Sequence, residues 1–197
     1  VTLAFAPAFG CTITADILAP SPPNLVADHG PYDLILASPP CECFSVMNIG
    51  RNWEPPPTHA PKTDGAVRAV RIVKATRRLI GEFEPLAFII ENPRAKLRKL
   101  PVMVGLERRT VTYCQYGERV MKPTDLWGGF PPTLELKPPC KNGDLCHVSA
   151  PRGSRTGTQS DKTSAEKAKV PYLLSRAVCE AMERWLAGDQ GVASTLF

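Results

Sequence analysis

The stretch Leu34–Ser45, LILASPPCECFS, decides how this chain is interpreted. It begins with the apolar run Leu34–Ala37, continues through the turn SPP at 38–40, and then reaches Cys41. A short apolar run between turn residues is typical of a buried strand of a parallel sheet. Ligands of open α/β sheets bind just beyond the carboxyl ends of such strands. The sequence therefore predicts a functional site at Cys41.

A second apolar run, Leu86–Ile90, stops at the polar residues Glu91 and Asn92. Between the two runs, Asp64–Phe83 has the apolar spacing of an amphipathic helix, and Pro85 ends it. The order strand, helix, strand favours a parallel α/β sheet with helices outside it. Glu91 is therefore expected to face the same crevice as Cys41.

The remaining sequence predicts fewer regular elements. Val1–Phe5 and Arg109–Cys114 have strand-like compositions, and Val170–Leu186 has the apolar stripe of a second helix. Residues 115–139 predict irregular structure with a short strand at Thr133–Leu136. We expect a single domain over 1–187, with an irregular region at 115–160, and a loose tail over 188–197.

Composition narrows the class of protein. The chain has 197 residues, of which 43% are hydrophobic and 22% charged, as in soluble globular proteins. It has no apolar run of membrane-spanning length and no signal peptide, which favours the cytoplasm of a bacterial or phage-infected cell. The seven cysteines do not suggest a disulfide framework. The net charge of +5 is compatible with a polyanionic partner.

Cys41 and Glu91 form a usable chemical pair. A thiolate can add to an electron-poor carbon, and a carboxyl group can protonate or hydrogen-bond a ring nitrogen beside it. Each residue alone has an ordinary alternative, since a free cysteine is usually a buried structural thiol and a glutamate can cap a loop. Their positions at two strand ends favour catalysis.

These residues resemble a known family. The sequence PCECFS at 40–45 resembles the Pro-Cys-x-x-Phe-Ser loop of DNA cytosine-5 methyltransferases, and ENP at 91–93 resembles their Glu-Asn-Val motif. The resemblance runs through most of residues 14–187. Later stretches are similar to a compact phage-type branch: YCQYG (113–117), MKPTDLW (121–127), CKNGDLCH (140–147), APRGS (150–154) and TGTQ (156–159).

The resemblance implies a fold, a reaction and a set of residues. The fold would be a Rossmann-like sheet of the class I S-adenosylmethionine-dependent methyltransferases, with helices on both faces. Cys41 would attack C6 of a cytosine flipped out of double-stranded DNA, Glu91 would hold its N3 and amine, and C5 would receive the methyl group. The other implied residues fall into two groups, substrate-binding (Pro40, Ser45, Asn92, Pro93, Arg119 and Lys122) and cofactor-binding (Asp16, Ile17 and Pro39).

The N-terminal sequence departs from the family. Members begin with a strand and a turn of the form Phe-x-Gly-x-Gly that cradles S-adenosylmethionine, and Val1–Pro7 does not match it. We therefore expect a form without the first strand–helix unit, with weakened cofactor binding. We expect such a truncated form to be inactive alone unless a second chain supplies the missing part.

Two other functions remain open at this stage. The turn SPP at 38–40 matches part of the motif of amino-methyltransferases that modify N4 of cytosine, although Cys41 stands where their aromatic residue should be. A non-catalytic DNA-binding remnant or subunit is the other alternative.

The cysteine-rich loop at 140–147 carries residue types found in metal sites. Cys140, Cys146 and His147 are typical zinc ligands, and Cys114 is a candidate fourth, but zinc sites more often use Cys-x₂₋₄-Cys pairs. The sequence therefore predicts no metal and favours a polar loop that helps to read DNA, with zinc as the alternative.

Basic residues after the strand ends are the candidates for contacts with DNA phosphates. The basic face of the first helix is expected to be merely solvated. The candidates are Arg51, Arg94, Lys96, Arg98, Lys99, Arg152 and Arg155.

Overall fold

The computed structural model describes residues 30–149 and 163–190, together with 2–3, 13–14, 17–19 and 27. These residues contain six strands: β1 (Thr2–Leu3), β2 (Ile13–Thr14), β3 (Leu34–Ala37), β4 (Ala87–Pro93), β5 (Glu107–Thr112) and β6 (Pro123–Gly129). The α-helices that lie wholly within the described residues are α1 (Ile49–Asn52), α2 (Asp64–Phe83), α3 (Ser164–Ala168) and α4 (Tyr172–Leu186). Single 3₁₀ turns lie at Val46–Asn48, Lys96–Lys99, Pro101–Met103 and Tyr113–Tyr116.

The main sheet has four strands in the order β3-β4-β6-β5. Strands β3 and β4 are parallel, with Leu34 opposite Ala87 and Ala37 opposite Ile90, and the sheet as a whole is mixed. The fold is thus α/β and compatible with a Rossmann-like arrangement, as the sequence predicted. Helices on both faces and the more specific class I methyltransferase fold stay predictions. A separate pair, β1 and β2, is antiparallel.

The chain divides into two compact units. The first unit comprises residues 1–109 and 125–129, and the second comprises 110–124 and 130–197. Strands β5 and β6 each contribute residues to both units. The single domain predicted over 1–187 stays a prediction.

The core of the first unit lies between β3, β4 and α2. Ile35 and Ala37 alternate with less buried neighbours along β3, whereas β4 is buried at almost every position, as expected of a strand covered on both faces. Helix α2 starts where the Thr63 hydroxyl accepts a hydrogen bond from the Ala66 amide at 3.2 Å. Its buried face runs from Ala66 to Phe83. Val67, near the start of the helix, is 43% exposed and lies outside that face.

The core of the second unit is built around α4. Leu174, Val178, Ala181 and Met182 are buried along one face of this helix. Leu186, the last residue of the helix, is 53% exposed. The helix begins at Tyr172 rather than Val170, with Pro171 as its N-cap, because the proline ring disfavours helical geometry at the preceding residue, Val170.

Strand β6 is the largest difference from the sequence-based expectation. The stretch 115–139 was predicted to be irregular, and the short strand predicted at Thr133–Leu136 is a turn and irregular structure instead. A β-carbon on Gly128 would lie 1.9 Å from the Phe88 carbonyl oxygen. Only glycine therefore permits this approach of β6 to β4.

Candidate active site and cysteine cluster

The two predicted catalytic residues follow neighbouring parallel strands. Ala37 of β3 pairs with Ile90 of β4, so Glu91 is one residue beyond this pair and Cys41 is four residues beyond Ala37. Strand β4 extends three residues further than predicted, through Glu91, Asn92 and Pro93. Glu91 is 8% exposed and Cys41 is half-buried. Both residues lie at the carboxyl edge of the same strand pair.

Asn92 joins the ends of the two strands. Its side chain is fully buried, and its Nδ2 donates a hydrogen bond of 2.9 Å to the carbonyl oxygen of Pro39. Its Oδ1 is buried without a hydrogen-bond partner among the described residues. Because Pro39 precedes Cys41 by only two residues, this bond fixes where the cysteine turn leaves the sheet.

The residues after Cys41 form a tight turn. The Cys41 carbonyl oxygen accepts hydrogen bonds from the amides of Phe44 (3.0 Å) and Ser45 (2.9 Å). The Ser45 hydroxyl donates to the Glu42 carbonyl at 3.2 Å, and Asn48 Nδ2 donates to the same oxygen at 2.9 Å. Two prolines before the cysteine and this turn after it hold its backbone in one conformation.

Trp53 anchors the turn from the long loop that follows it. Its Nε1 donates a 2.7 Å hydrogen bond to the Cys43 carbonyl, and its ring stacks on Phe44 with centroids 5.7 Å apart. Both rings are buried. The sequence did not single out Trp53, although a tryptophan in a proline-rich loop is a signal for such an anchor.

The second cysteine of the motif has a different environment. Burial, with a smaller contribution from Glu42, raises the pKa of Cys43, and Arg51 opposes this shift. Its Sγ lies 3.5 Å from the position of a β-carbon on Gly65 in α2. Cys43 is therefore a poor nucleophile with a packing role.

The basic candidates after β4 are not equivalent. Lys96 is 4% exposed, with its Nζ 2.9 Å from His59 Nδ1 and 5.0 Å from the centroid of the Trp53 ring. Burial lowers the pKa of Lys96. Arg98 forms a two-pronged ion pair with the fully buried Asp125. The prediction that Lys96 contacts DNA is wrong, because its ammonium group is buried against His59 and Trp53 inside the first unit. Arg98 is likewise bound to Asp125 in that unit.

The other basic candidates in the described residues are exposed. Arg51, Arg94 and Lys99 are open to solvent. On α2, Arg68, Arg71, Lys74 and Arg78 are exposed, as predicted of a solvated face. Arg77 departs from that prediction, since it is half-buried and donates to the Val102 carbonyl. Arg152 and Arg155 lie outside the described residues.

The predicted cofactor residues are only partly described. Ile17 is buried against Ile72, Ala75 and Leu79 of α2. Pro39 is buried and its carbonyl is occupied by Asn92. Asp16 lies outside the described residues.

The remaining predicted substrate residues are Pro40, Pro93, Arg119 and Lys122. Pro40 is exposed and Pro93 half-buried in the first unit, whereas Arg119 and Lys122 belong to the second unit. Arg119 is exposed, and its carbonyl accepts the Val148 amide at 2.9 Å. Lys122 Nζ donates to the Lys167 carbonyl at 2.7 Å and lies 4.4 Å from the centroid of the Tyr113 ring.

A second group of chemically active side chains lies in the second unit. Cys114, Cys140, Cys146 and His147 come together with every pair of candidate ligand atoms within 4.8 Å. Burial and neighbouring thiols raise the pKa of Cys114 to about 12. The sequence had named all four residues, but its spacing argument favoured no metal.

Comparison with known proteins gives one partial similarity. Over 119 residues the chain is 29% identical to a protein described as a probable DNA (cytosine-5)-methyltransferase of Frog virus 3 (isolate Goorha). The aligned part covers 56% of this chain and 54% of that protein, so the chain spans about half the length of the curated relative that it matches. No family model matches the chain. The similarity supports the family that the motifs suggested, and the phage-type branch stays a prediction.

Proposed function

We propose that this chain carries the base-reacting part of a DNA cytosine-5 methyltransferase, with Cys41 as nucleophile and Glu91 as its carboxylic acid partner. The observation that supports it best is the parallel pairing of β3 and β4, which brings both residues to one edge. The hydrogen bond from Asn92 to Pro39 then fixes one strand end against the other. The similarity to the viral protein supports the same reaction class.

The proposed chemistry begins with a cytosine turned out of the duplex, which costs a few kcal/mol. The Cys41 thiolate forms a bond from sulfur to C6, and the electron pair of the C5–C6 double bond moves onto C5. A hydrogen bond from the protonated Glu91 carboxyl to N3 stabilises the charge that spreads into the ring. C5 then takes an electrophile, a base removes the original C5 proton, and the sulfur–C6 bond breaks.

In the family that this chain resembles, the electrophile is the methyl group of S-adenosylmethionine. The two predicted cofactor residues that the structure describes already make contacts within the protein. Ile17 is packed into α2, and the Pro39 carbonyl is already bonded. We therefore derive only the base chemistry, in which water supplies a proton to C5 and exchanges the C5 hydrogen.

Double-stranded DNA is the proposed partner. The net charge of +5 favours a polyanion. Arg51, Arg94 and Lys99 in the first unit and Arg119 in the second are exposed cations available to phosphates. Pro40, Ser45, Asn92 and Pro93 are proposed to frame the base around the Cys41 turn.

Hydrogen exchange at C5 tests this proposal without a methyl donor. Duplex DNA of mixed sequence with tritium at C5 of cytosine is incubated with the chain, and tritium in water is counted. Wild-type protein is expected to release tritium, Cys41→Ala to release none, and Glu91→Gln to be at least about a hundredfold slower. Cys43→Ser is the matched control and should remain close to wild type.

Two results would refute the proposal. Release of tritium by Cys41→Ala at the wild-type rate would remove the nucleophile from the mechanism. Failure of the wild-type chain both to release tritium and to become trapped on 5-fluorocytosine DNA with S-adenosylmethionine present would remove the reaction. Methyl found on N4 would instead support an amino-methyltransferase.

A further inference from the structure

We propose that Cys114, Cys140, Cys146 and His147 form a structural zinc site of the Cys₃His type in the second unit. All four residues belong to that unit. This inference concerns a site separate in sequence and composition from the Cys41–Glu91 pair, and it does not depend on the proposed function.

The distances between the candidate ligand atoms fit one tetrahedral ion. Cys114 Sγ lies 3.1 Å from Cys140 Sγ and 3.7 Å from Cys146 Sγ. His147 Nδ1 lies 3.3 Å from Cys146 Sγ and 3.7 Å from Cys140 Sγ. Tetrahedral zinc with ordinary bond lengths separates two sulfurs by about 3.8 Å and a sulfur from a nitrogen by about 3.6 Å. Binding would have to widen the Cys114–Cys140 separation by about 0.7 Å, and no pair of ligand atoms is more than 4.8 Å apart, so each pair needs a change of about 1 Å or less.

The chemistry of the donors selects the metal. Thiolates and imidazole together favour zinc over the hard cations magnesium and calcium, which prefer oxygen. Four protein ligands fill a tetrahedral shell, so no position is left for water or substrate, and the site is structural rather than catalytic. The histidine ligates as its neutral tautomer, with the lone pair on Nδ1 and the proton on Nε2.

The backbone around the cluster is already arranged as a support. Cys140 donates its amide to the Thr112 hydroxyl at 3.1 Å, which ties the loop to the end of β5. Gln115 Nε2 donates to Cys146 Sγ at 3.5 Å, a typical outer hydrogen bond to a metal-bound thiolate. At the far end of the loop, the Val148 amide bonds the Arg119 carbonyl.

A metal explains how this loop keeps its conformation. Residues 137–149 contain no helix or strand, and most of their side chains are exposed, so little apolar burial holds them. A zinc ion would join Cys140, Cys146 and His147 to Cys114, which follows β5. Binding of the ion would then contribute directly to the order of the loop.

The first test is metal content and coordination in the full chain. Protein without a histidine tag, purified without chelators, is analysed by elemental mass spectrometry, and we expect one zinc per chain. X-ray absorption should show three sulfurs at about 2.3 Å and one nitrogen at about 2.0–2.1 Å. Reduced apoprotein titrated with Co²⁺ should show the intense visible bands of tetrahedral cobalt with thiolate ligands.

Substitutions distinguish the proposed zinc ligands from a cysteine outside the cluster. Cys146→Ser and His147→Ala should lose the zinc, whereas His147→Cys should retain it, because cysteine can replace the imidazole in the same shell. Cys179→Ser, which changes a cysteine of α4 outside the cluster, should bind one zinc per chain like wild type. Hydrogen exchange in residues 137–149 should rise when zinc is removed, while β3 and β4 stay protected.

Several results would overturn the site. These are protein that carries no metal and takes up no cobalt when reduced, iron in place of zinc, or an octahedral cobalt spectrum. A Cys114–Cys140 disulfide in metal-free protein from cells would also overturn it. The cobalt and X-ray measurements use the unmutated chain, so a variant that fails to fold does not remove the test.

Discussion

The molecule holds two groups of cysteines that are built in opposite ways. Cys41 lies in a turn that is held by hydrogen bonds to the next few residues and by the pairing of β3 with β4. Its proposed partner is the carboxyl group of Glu91. Cys140, Cys146 and His147 come from one loop and converge on Cys114, which follows β5. A nucleophile needs a single thiol on a rigid support, whereas a metal needs several ligands that converge. The role of each cysteine therefore depends on the residues around it.

The largest expected effect tests that division directly. Cys41→Ala should abolish tritium release from C5, with a loss of at least about 10³-fold typical for removal of a nucleophile. The same variant should still bind one zinc per chain, because none of the four proposed ligands changes. Tritium counting and elemental mass spectrometry on one preparation measure both. Loss of zinc from Cys41→Ala would contradict the conclusion that the two groups of cysteines are separate sites.

The framework under the first site depends on a buried ion pair. Asp125 is fully buried and Arg98 forms an ion pair with it, so Arg98→Met removes the cation from a buried carboxylate and should cost about 3–5 kcal/mol in the free energy of unfolding. Arg109→Met removes the exposed pair with Glu107 and should cost about 1 kcal/mol or less. Urea unfolding measures both, and equal losses would contradict the role given to burial.

A close approach of two strands supports the same framework. Gly128→Ala places a methyl group 1.9 Å from the Phe88 carbonyl, and forcing β6 away from β4 should destabilise the protein by about 3 kcal/mol. Gly129→Ala is the matched control, since its new carbon would meet Phe88 at an ordinary 3.6 Å. Thermal unfolding should separate the two variants clearly, and similar melting temperatures would refute the contact.

The link between the strand ends should have a smaller effect. Asn92→Ala leaves the Pro39 carbonyl without its buried donor, which should cost about 1–3 kcal/mol of stability and slow tritium release. Asn48→Ala removes an exposed bond to Glu42 in the same turn and should cost about 1 kcal/mol or less. Asn92→Ala with unchanged release would show that the turn holds Cys41 without this bond.

The smallest expected effect concerns pH. Burial lowers the pKa of Lys96 in the folded protein below its ordinary value of 10.5, so the unfolded chain binds more protons between the two values. Stability of the wild type relative to Lys96→Met should therefore rise as pH increases through the lowered pKa towards 10.5 and fall again on acidification. The exposed Lys99→Met is the control. Chemical unfolding at several pH values measures this difference in stability. A difference that falls as the pH rises would contradict the prediction.

Some features of the fold and site were predictable because they depend on local pattern. The apolar run of β3, the cap and stripe of α2, and the polar end of β4 are each visible in a short window of sequence. Strand β6 was not visible in that way, because Gly128, Gly129 and Asp125 are typical loop residues. Their strand is stabilised by contacts with Phe88 and Arg98, which lie tens of residues away.

The sequence by itself determined the pairing of a cysteine turn with a Glu-Asn-Pro strand end, since both are local motifs that resemble one family. Tertiary structure alone decided that Lys96 and Arg98 turn inward, because their partners His59, Trp53 and Asp125 are distant in sequence. It also decided that Cys114 joins Cys140, Cys146 and His147. Spacing along the chain cannot reveal such convergence, because the distance between ligand atoms is set by how β5 and the following loop fold back on each other.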